Sequence, residues 1–573
     1  MKLKHFFLFI ILSLVLSLSG IGCKGSADPT PSSQTPSTPS TPSTPQTPTE
    51  EKDPVEVDDT LTAMKLAKAM ECGWNLGNTL DAFDNWSDKT YPFNEGVNSE
   101  SDWEEEKTTK AIIETGIKQG GYKTIRIPVT CCNHLKDTNY TIDPAWMTRV
   151  KEIVDWAYDA GYYVILNEHH SVHDKMSKPL KKCEGYIVRP EDEAESKAFL
   201  KAIWEQISQT FNNNYDEHLI FETMNEPRDT AHEHCWEMQP DSCNVCKAEV
   251  ELLNEYNQLI LNTIRASGGN NAERFIMVPA TGTGIAEPLK DCFKMPTDTA
   301  TDKLLLTVHM YPLDSGGTGH DSHHFDNTTK NRISYHTKAL YDKFVLEGIP
   351  VVIGECGAAR KASEYNDALQ KSVYISDYIV TFEDRLQCFS FFAEQAGKYT
   401  MPFINWDCGG EDGMATVDRK NCKMFETEDS KKYVETIINA WKKGNENAGS
   451  PTVFEPEEIS LDGLDVWNAE ISSFDKASGL LTLGEQWTGA NIWFGEKDIS
   501  SFKTVEISYK NGTPNIQFYL AYADDTDSEK IPFGSGSGTK SLQLDTTKKL
   551  KAIFFQAKEA SVSIILEKII LKP

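Results

Sequence analysis

At 573 residues, 39% hydrophobic and 10% aromatic, the chain has room for two or three domains with sizeable cores, which excludes wholesale disorder. Its 57 Lys and Arg stand against 86 Asp and Glu, and the resulting formal charge of −29 would repel phosphate backbones and speaks against nucleic-acid binding. Such an acidic surface suits an exported protein that acts on a neutral ligand.

The first residues, MKLKHFFLFIILSLVLSLSGIGCKGS, combine a basic start, an apolar run and small residues before Cys23. That is the build of a secretory signal rather than of a membrane span. Residues 1–23 resemble a bacterial lipoprotein signal, with Cys23 as the lipidated first residue of the mature chain. Gly20 stands where a large aliphatic residue is usual, so a plain secreted protein cut nearby is the alternative. The expected location is outside the cell, held by lipid at the bacterial cell surface or outer membrane. Residues 24–59 are rich in Pro, Ser, Thr and acid; they cannot build a core and read as an extended spacer.

From 60 to 445 short apolar runs alternate with helical patterns. Strand-like runs occur at 72–78, 123–129, 162–169, 219–226, 274–280, 304–311, 350–355 and 402–407. Between them, DPAWMTRVKEIVDWAYDAG repeats apolar Trp146, Val150, Ile153, Val154 and Ala157 at helical spacing, and EAESKAFLKAIWEQISQTF behaves likewise. Eight such strands alternating with helices predict an α/β fold, a (β/α)8 barrel with inserted loops. An open doubly wound sheet competes, but no glycine-rich nucleotide loop follows the first strand. Residues 446–456 read as a linker. From 457 to 573 many short alternating strands, including TVEISYK, NIQFYLAYA and KAIFFQA, predict an antiparallel β-sandwich. Trp467, Trp487 and Trp493 in this part are candidate sugar platforms or, equally, core residues.

There are thirteen cysteines, twelve of them beyond Cys23, and in an exported protein an even number favours disulfides. In HEHCWEMQPDSCNVC (232–246), His232, His234, Cys235, Cys243 and Cys246 can also be read as zinc ligands. A lone CxxC without a second matched pair favours a disulfide-stapled loop over metal.

In a (β/α)8 barrel the working residues sit at the C-terminal strand ends. There this sequence concentrates Asn75 and Asn78, Arg126, His169 and His170, Asn225 and Glu226, His309 and Tyr311, Glu355 and Trp406. A carboxylate at such a position is costly unless paired or used. Strands four and seven face one another across the barrel mouth, so Glu226 and Glu355 can converge. A facing glutamate pair matches glycoside hydrolysis, with one acid protonating the leaving oxygen while a carboxylate attacks the sugar. Arg126 is placed to hold Glu355 ionised, Asn225 to meet a sugar 2-hydroxyl, and Trp406 to offer a pyranose a flat apolar face. Singly, each has a plainer explanation: a helix-capping turn, a structural ion pair, a core tryptophan. A rival casts His169, His170 and His173, or His232 and His234, as ligands of a catalytic metal. His169 and His173 have the HxxxH spacing of zinc proteases, but no Glu follows the first histidine and the site begins on a strand, which counts against it.

Taken together, GWNLGNTLDA (73–82), TIRIPV (124–129), ILNEHH (165–170), TMNEPR (223–228), VHMY (308–311), IGECG (353–357) and FINWD (403–407) resemble glycoside hydrolase family 5, in particular its bacterial endo-β-1,4-glucanase branch. The resemblance implies a (β/α)8 barrel, retaining hydrolysis and no metal or other cofactor. It implies Glu226 as acid/base and Glu355 as nucleophile, surrounded by Arg126, His169, Asn225, His309 and Tyr311. Asn78, Asp81, His170 and Trp406 match substrate-lining positions. Glu168, Cys356 and Asn405 depart from the family's usual residues, which bears on substrate preference. The expected substrate is a β-glucan, with xyloglucan, mixed-linkage glucan, xylan and mannan as alternatives. The C-terminal sandwich is expected to bind carbohydrate and the protein to act as a monomer. A surface glycan-binding protein with an inactive barrel is the non-enzymatic alternative.

Overall fold

The computed structural model describes residues 55–573 apart from 84–93, 104–105, 173–184, 314–324, 358–360, 367–370, 380–381, 411–413 and 449–454. The signal segment with Cys23, nearly all of the spacer, His173 and most of the 446–456 linker therefore lie outside the described residues.

Eight parallel strands close a barrel: β1 (Cys72–Asn75), β2 (Thr124–Val129), β3 (Tyr163–Glu168), β4 (Leu219–Glu222), β5 (Ile276–Gly284), β6 (Leu304–Met310), β7 (Val351–Cys356) and β8 (Phe403–Asn405). The order around the barrel is β1-β8-β7-β6-β5-β4-β3-β2, which excludes the open doubly wound sheet. Helix α1 (Ala63–Met70) precedes β1, and its Ala63, Leu66, Ala67 and Met70 pack with Ile165, Ile220, Met277, Leu305, Val352 and Ile404. The helix thus seats an apolar face on the lowest interior layer of the barrel.

Helices α2 (Lys110–Thr115), α3 (Pro144–Asp159), α4 (Glu193–Thr210), α5 (Asn244–Ala266), α6 (Asn327–Lys343), α7 (Phe382–Lys398) and α8 (Glu428–Glu446) follow the strands in turn, except that β5 connects to β6 through only a short 3-10 turn, Glu287–Leu289. Asp143 starts α3 by accepting from the Ala145 N–H at 2.9 Å, with Pro144 in the first turn where its missing N–H costs nothing. The buried residues of α3 are Trp146, Val150, Ile153, Val154 and Ala157, the stripe that the helical spacing predicts.

The predicted strand run 219–226 is shorter in the structure. Regular pairing of β4 with β5 stops at Glu222, opposite Met277, and residues 225–226 form a bend. The Thr283 hydroxyl binds the Asn225 carbonyl there, so a side chain takes over from the strand ladder.

Beyond the barrel, two antiparallel sheets share one apolar core. Their strands are β9 (Glu457–Ile459), β10 (Leu464–Val466), β11 (Ser473–Asp475), β12 (Leu480–Leu483), β13 (Gly489–Lys497), β14 (Thr504–Gly512), β15 (Ile516–Tyr522), β16 (Ile531–Pro532), β17 (Gly536–Gln543), β18 (Leu550–Ala557) and β19 (Val562–Lys572). One sheet runs β11-β12-β19-β14-β17 with β9 also on β19; the other runs β10-β13-β18-β15-β16. Period-2 alternation puts Ile492, Ile553, Phe555, Phe518 and Leu520 of the second sheet inward. Asn491, Phe554 and Tyr519 stand in register on its outer face, as do Gly489, Gln556 and Gln517.

That outer face is aromatic. Phe554 and Tyr519 stack at 5.1 Å, Trp467 meets Phe554 edge-on at 5.7 Å, and its indole N–H donates to Asn491 Oδ1 at 2.8 Å. A Cβ on Gly489 would come within 2.8 Å of the Trp467 ring, so the glycine lets the indole lie flat on the strand. Trp467, Trp487 and Trp493 are 44%, 56% and 58% exposed, which removes all three from the core.

Candidate functional site

Each barrel strand lifts its side chains in steps of two. Ile165, Ile220 and Leu305 belong to the apolar layer above α1, and two residues further on stand Asn167, Glu222 and Thr307. Arg126 enters this second layer from β2 and is wholly buried. Its Nε donates to Glu222 Oε2 at 2.5 Å, Nη1 to Asn75 Oδ1 at 3.0 Å and Glu355 Oε1 at 2.8 Å, and Nη2 to Asn225 Oδ1 at 2.7 Å. Thr307 Oγ1 donates to the other Glu222 oxygen at 2.7 Å. Burial works against the Arg126 charge, but Glu222 and Glu355 outweigh it and hold the guanidinium above its ordinary pKa. The cation is therefore permanent, and it ties β1, β2, β4 and β7 together.

Glu222 was not among the sequence-derived candidates. Its signal was available: an acid two residues after inward-facing Ile220 must find a cation inside the barrel.

One layer higher the two expected glutamates meet. Tyr311 donates its hydroxyl to Glu355 Oε2 at 2.8 Å, so both oxygens of this carboxylate are held by a donor. Burial, then the Glu355 charge, raise the Tyr311 pKa well above its usual value and keep it a donor. His309 Nδ1 lies 3.0 Å from Glu226 Oε1 and 3.5 Å from Glu355 Oε2. This nitrogen and one oxygen of each glutamate all lie within 4.8 Å of one another. Arg228 Nη1 donates to the Glu226 carbonyl at 2.7 Å and lies 3.4 Å from Glu226 Oε2. Burial raises the Glu226 pKa, but the His309 hydrogen bond and charge, with Arg228 and His170, outweigh it and hold the carboxyl below its ordinary value.

A second group lines one flank. His169 Nδ1–H donates to Asn167 Oδ1 at 2.7 Å, and the ring stacks on Trp406 at 5.7 Å, with planes 8° apart. Burial, then neighbouring His170, Arg126 and His309, push the His169 pKa well down; burial above all brings His170 to about 4. Both rings are neutral polar surfaces at physiological pH. The Trp406 ring covers Gly77, where a Cβ would come within 2.7 Å of it, which explains the glycine of the first-strand motif. Asn78 adopts φ +59° beside it. Asp81 is fully buried, accepting from the Asn78 and Thr79 N–H groups at 3.1 and 2.8 Å. It shapes the turn that carries Asn78, and its Oδ2 lies 3.9 Å from His170 Nε2. Burial raises its pKa to about 6.

The three departures from the family pattern share a location behind the strands. Glu168 is buried between Val129 of β2 and Trp146, Val150, Trp204 and Phe211 of the helix layer, with Ser171 on Oε1; burial lifts its pKa to about 8. The Cys356 thiol is buried and points to the Ile404 carbonyl at 3.6 Å. Asn405 is buried and binds the carbonyls of Trp406 and Met414 and the hydroxyl of Tyr433. They brace the barrel wall.

Among the described residues the expected disulfides are not formed: no S–S bond joins any of their eleven cysteines. Cys72, Cys131, Cys132, Cys356 and Cys388 are buried and serve as small apolar side chains. Cys243 and Cys246 face His232 and His234 instead of closing a ring with each other.

The family model for cellulase, glycosyl hydrolase family 5, matches residues 86–412, more than half of the chain. The chain belongs to glycosyl hydrolase family 5. It is a glycoside hydrolase of the cellulase type, and the barrel with its paired carboxylates is the part that carries the match. Endoglucanase B of Ruminococcus albus is 35% identical over 366 residues, covering 63% of this chain and 75% of that protein. Among solved structures, a family 5 lichenase from Caldicellulosiruptor sp. F32 in complex with cellotetraose is 31% identical, with a TM-score of 0.55 over 69% of this chain and 99% of that one. A family 5 xyloglucanase from Paenibacillus pabuli is 29% identical, with a TM-score of 0.52 over 66% of this chain and all of that one.

Proposed function

We propose that this family 5 enzyme is an endo-acting β-1,4-glucanase that works by retention through Glu226 and Glu355. The observation that carries the reading is the approach of the two carboxyl groups, with oxygens within 4.8 Å around one imidazole nitrogen. Retaining enzymes hold their carboxyls roughly 5–5.5 Å apart, whereas inverting enzymes leave room for water at roughly 6.5–9.5 Å.

In the first step Glu355, oriented by Arg126 and Tyr311, attacks the anomeric carbon while the acid form of Glu226 protonates the departing glycosidic oxygen. The leaving chain departs with that proton, and a glycosyl ester remains on Glu355. In the second step Glu226 takes a proton from water, the hydroxide oxygen bonds to the anomeric carbon, and Glu355 is released. Glu226 must collect a proton before attack. A glucan that covers the cleft strips its water and leaves it facing the Glu355 charge, both of which favour the neutral acid. Asn225, fixed by Arg126, suits a contact with the sugar 2-hydroxyl. His169, His170, Asn78 and Trp406 supply neutral polar edges and a flat ring for neighbouring sugars. Asp81 supports that edge from behind.

The relatives named endoglucanase and the neighbours named lichenase and xyloglucanase favour β-1,4-glucan, mixed-linkage glucan and xyloglucan as the substrates to compare. We assign catalysis to residues 60–445 and polysaccharide holding to the sandwich of residues 457–573. The aromatic outer face of β13, β18 and β15, with the Gln517–Gln556 amide pair at 3.1 Å, supports the second assignment. Among the described residues no helix is long and apolar enough to cross a membrane. Attachment to a surface is assigned to a lipid on Cys23, with residues 24–59 as the tether.

The deciding experiment assays wild type, Glu226→Gln and Glu355→Gln on a panel of these glucans, xylan and mannan, following product anomers by NMR. Loss of turnover in both variants and an initial β-anomer are expected. An initial α-anomer, or activity that survives both substitutions, would overturn the mechanism.

A further inference from the structure

The loop between β4 and α5 holds four potential metal ligands that the hydrolytic chemistry does not use. His232 and His234 come from the loop itself. Cys243 is the N-cap of α5, and Cys246 lies in its first turn. One ligand atom of each lies within 4.8 Å of the other three. Cys243 Sγ is 3.8 Å and Cys246 Sγ 4.0 Å from His232 Nε2, and Cys246 Sγ is 3.4 Å from His234 Nδ1.

These spacings match a coordination sphere. Zn–S bonds of about 2.3 Å and Zn–N bonds of about 2.0–2.1 Å at tetrahedral angles separate sulfur from nitrogen by roughly 3.6 Å. The arrangement is also supported from outside. Glu249, 1% exposed and one helical turn after Cys246, hydrogen-bonds His232 Nδ1 at 2.9 Å. That bond turns Nε2 toward the two sulfurs, as carboxylates behind zinc-bound histidines do. The Cys246 N–H points at Cys243 Sγ at 3.5 Å, and the helix N-terminus favours a thiolate at this position. Both thiols are free, so nothing covalent competes for the sulfurs.

We propose that His232, His234, Cys243 and Cys246 bind one structural Zn2+ that staples the β4–α5 loop to the start of α5. Two thiol protons leave as the ion binds, and two thiolates balance its charge. Two sulfurs and two imidazoles in tetrahedral array suit zinc over the oxygen-seeking Mg2+ and Ca2+. Four protein ligands fill the sphere and leave no open position for substrate water, so the ion has a structural task. That task has a visible beneficiary. Within the loop, Trp236 lies under the Arg228 guanidinium at 4.0 Å, and Arg228 donates to the carbonyl of Glu226. The staple therefore fixes the segment that frames this glutamate.

The test is metal analysis of the full exported chain purified without chelator, together with Cys243→Ser/Cys246→Ser and a control, Cys422→Ser. One zinc per chain is expected in wild type and control, with loss of that zinc in the double variant. Replacing zinc with Co2+ in wild type is expected to give the visible absorption of a tetrahedral thiolate site, absent in the double variant. Wild-type protein that takes up no stoichiometric zinc even under reducing conditions would overturn the proposal. So would full zinc content in the double variant, or thiol counting that shows Cys243 and Cys246 joined as a disulfide in the native protein.

Discussion

The barrel mouth and the outer face of the C-terminal sheet, the two surfaces proposed to meet polysaccharide, are built in opposite ways. At the mouth and in the layer beneath it, Arg126, Glu222 and Glu355 are buried and joined by charge-assisted hydrogen bonds. On the sheet, Trp493 and Trp467 stand 58% and 44% exposed, with aromatic and amide neighbours. The contrast follows from the work. Chemistry on an anomeric carbon needs charges fixed in advance inside a low-dielectric site, whereas holding a chain needs flat apolar area and rotatable amides.

Removing the charges should therefore abolish turnover and removing the rings should not. Glu226→Gln is expected to lower kcat by about 10²- to 10⁴-fold, the usual worth of a general acid/base, on substrates with poor leaving groups. Glu355→Gln should lower it further, because no covalent intermediate then forms. Neither should weaken retention on insoluble glucan in a pull-down. Equal loss of retention in these variants would collapse the contrast between the two regions.

Glu222→Ala tests the buried network by stability. It leaves the Arg126 cation without its nearest anion, and a loss of about 3–5 kcal/mol in denaturant unfolding is expected. A change below about 1 kcal/mol would mean that the layer relaxes around the vacancy.

The paired substitution Trp467→Ala/Trp493→Ala should weaken retention on insoluble glucan roughly tenfold, about 1.4 kcal/mol, while kcat on a soluble glucan stays within about twofold. Unchanged retention would make the sandwich a spacer.

Two pH effects are smaller. The free site holds Glu226 below its ordinary pKa, and a bound glucan favours the protonated form. The alkaline limb of kcat/KM should accordingly fall at lower pH than that of kcat. Coincident limbs would deny the coupling. Glu168 titrates at about 8 in the fold against 4.5 in the unfolded chain, because burial penalises its charged form. The stability linked to its proton is complete below pH 4.5 and is lost as pH rises through about 8. Glu168→Gln lacks this loss, so its Tm should gain on wild type between these values.

Much of this was legible in order along the chain. Short apolar runs announced the barrel strands, alternation announced those of the sandwich, and the α3 stripe from Trp146 to Ala157 announced its buried face. Asn225, Glu226 and Glu355 drew notice as polar strand ends. Glu222 did not, although an acid two residues after Ile220 in a barrel strand calls for a buried cation. Asp81 came from its match to the family's substrate-lining positions; what only the structure added is that its carboxylate closes the turn through backbone N–H groups two and three residues earlier. The cysteines misled for a related reason: an even count permits disulfides, while pairing requires thiols to meet in space.

By itself, then, the sequence determined the strand and helix periods, the (β/α)8 alternation, the family and the two glutamates. These depend on residue type and local spacing. Closing the barrel decided that His309 lies between Glu226 and Glu355, that Arg126 joins four strands, and that Glu168, Cys356 and Asn405 face the helices. Such outcomes depend on which strand ends and loops are brought together by closure and stagger, and those relations between distant residues leave no local pattern to read.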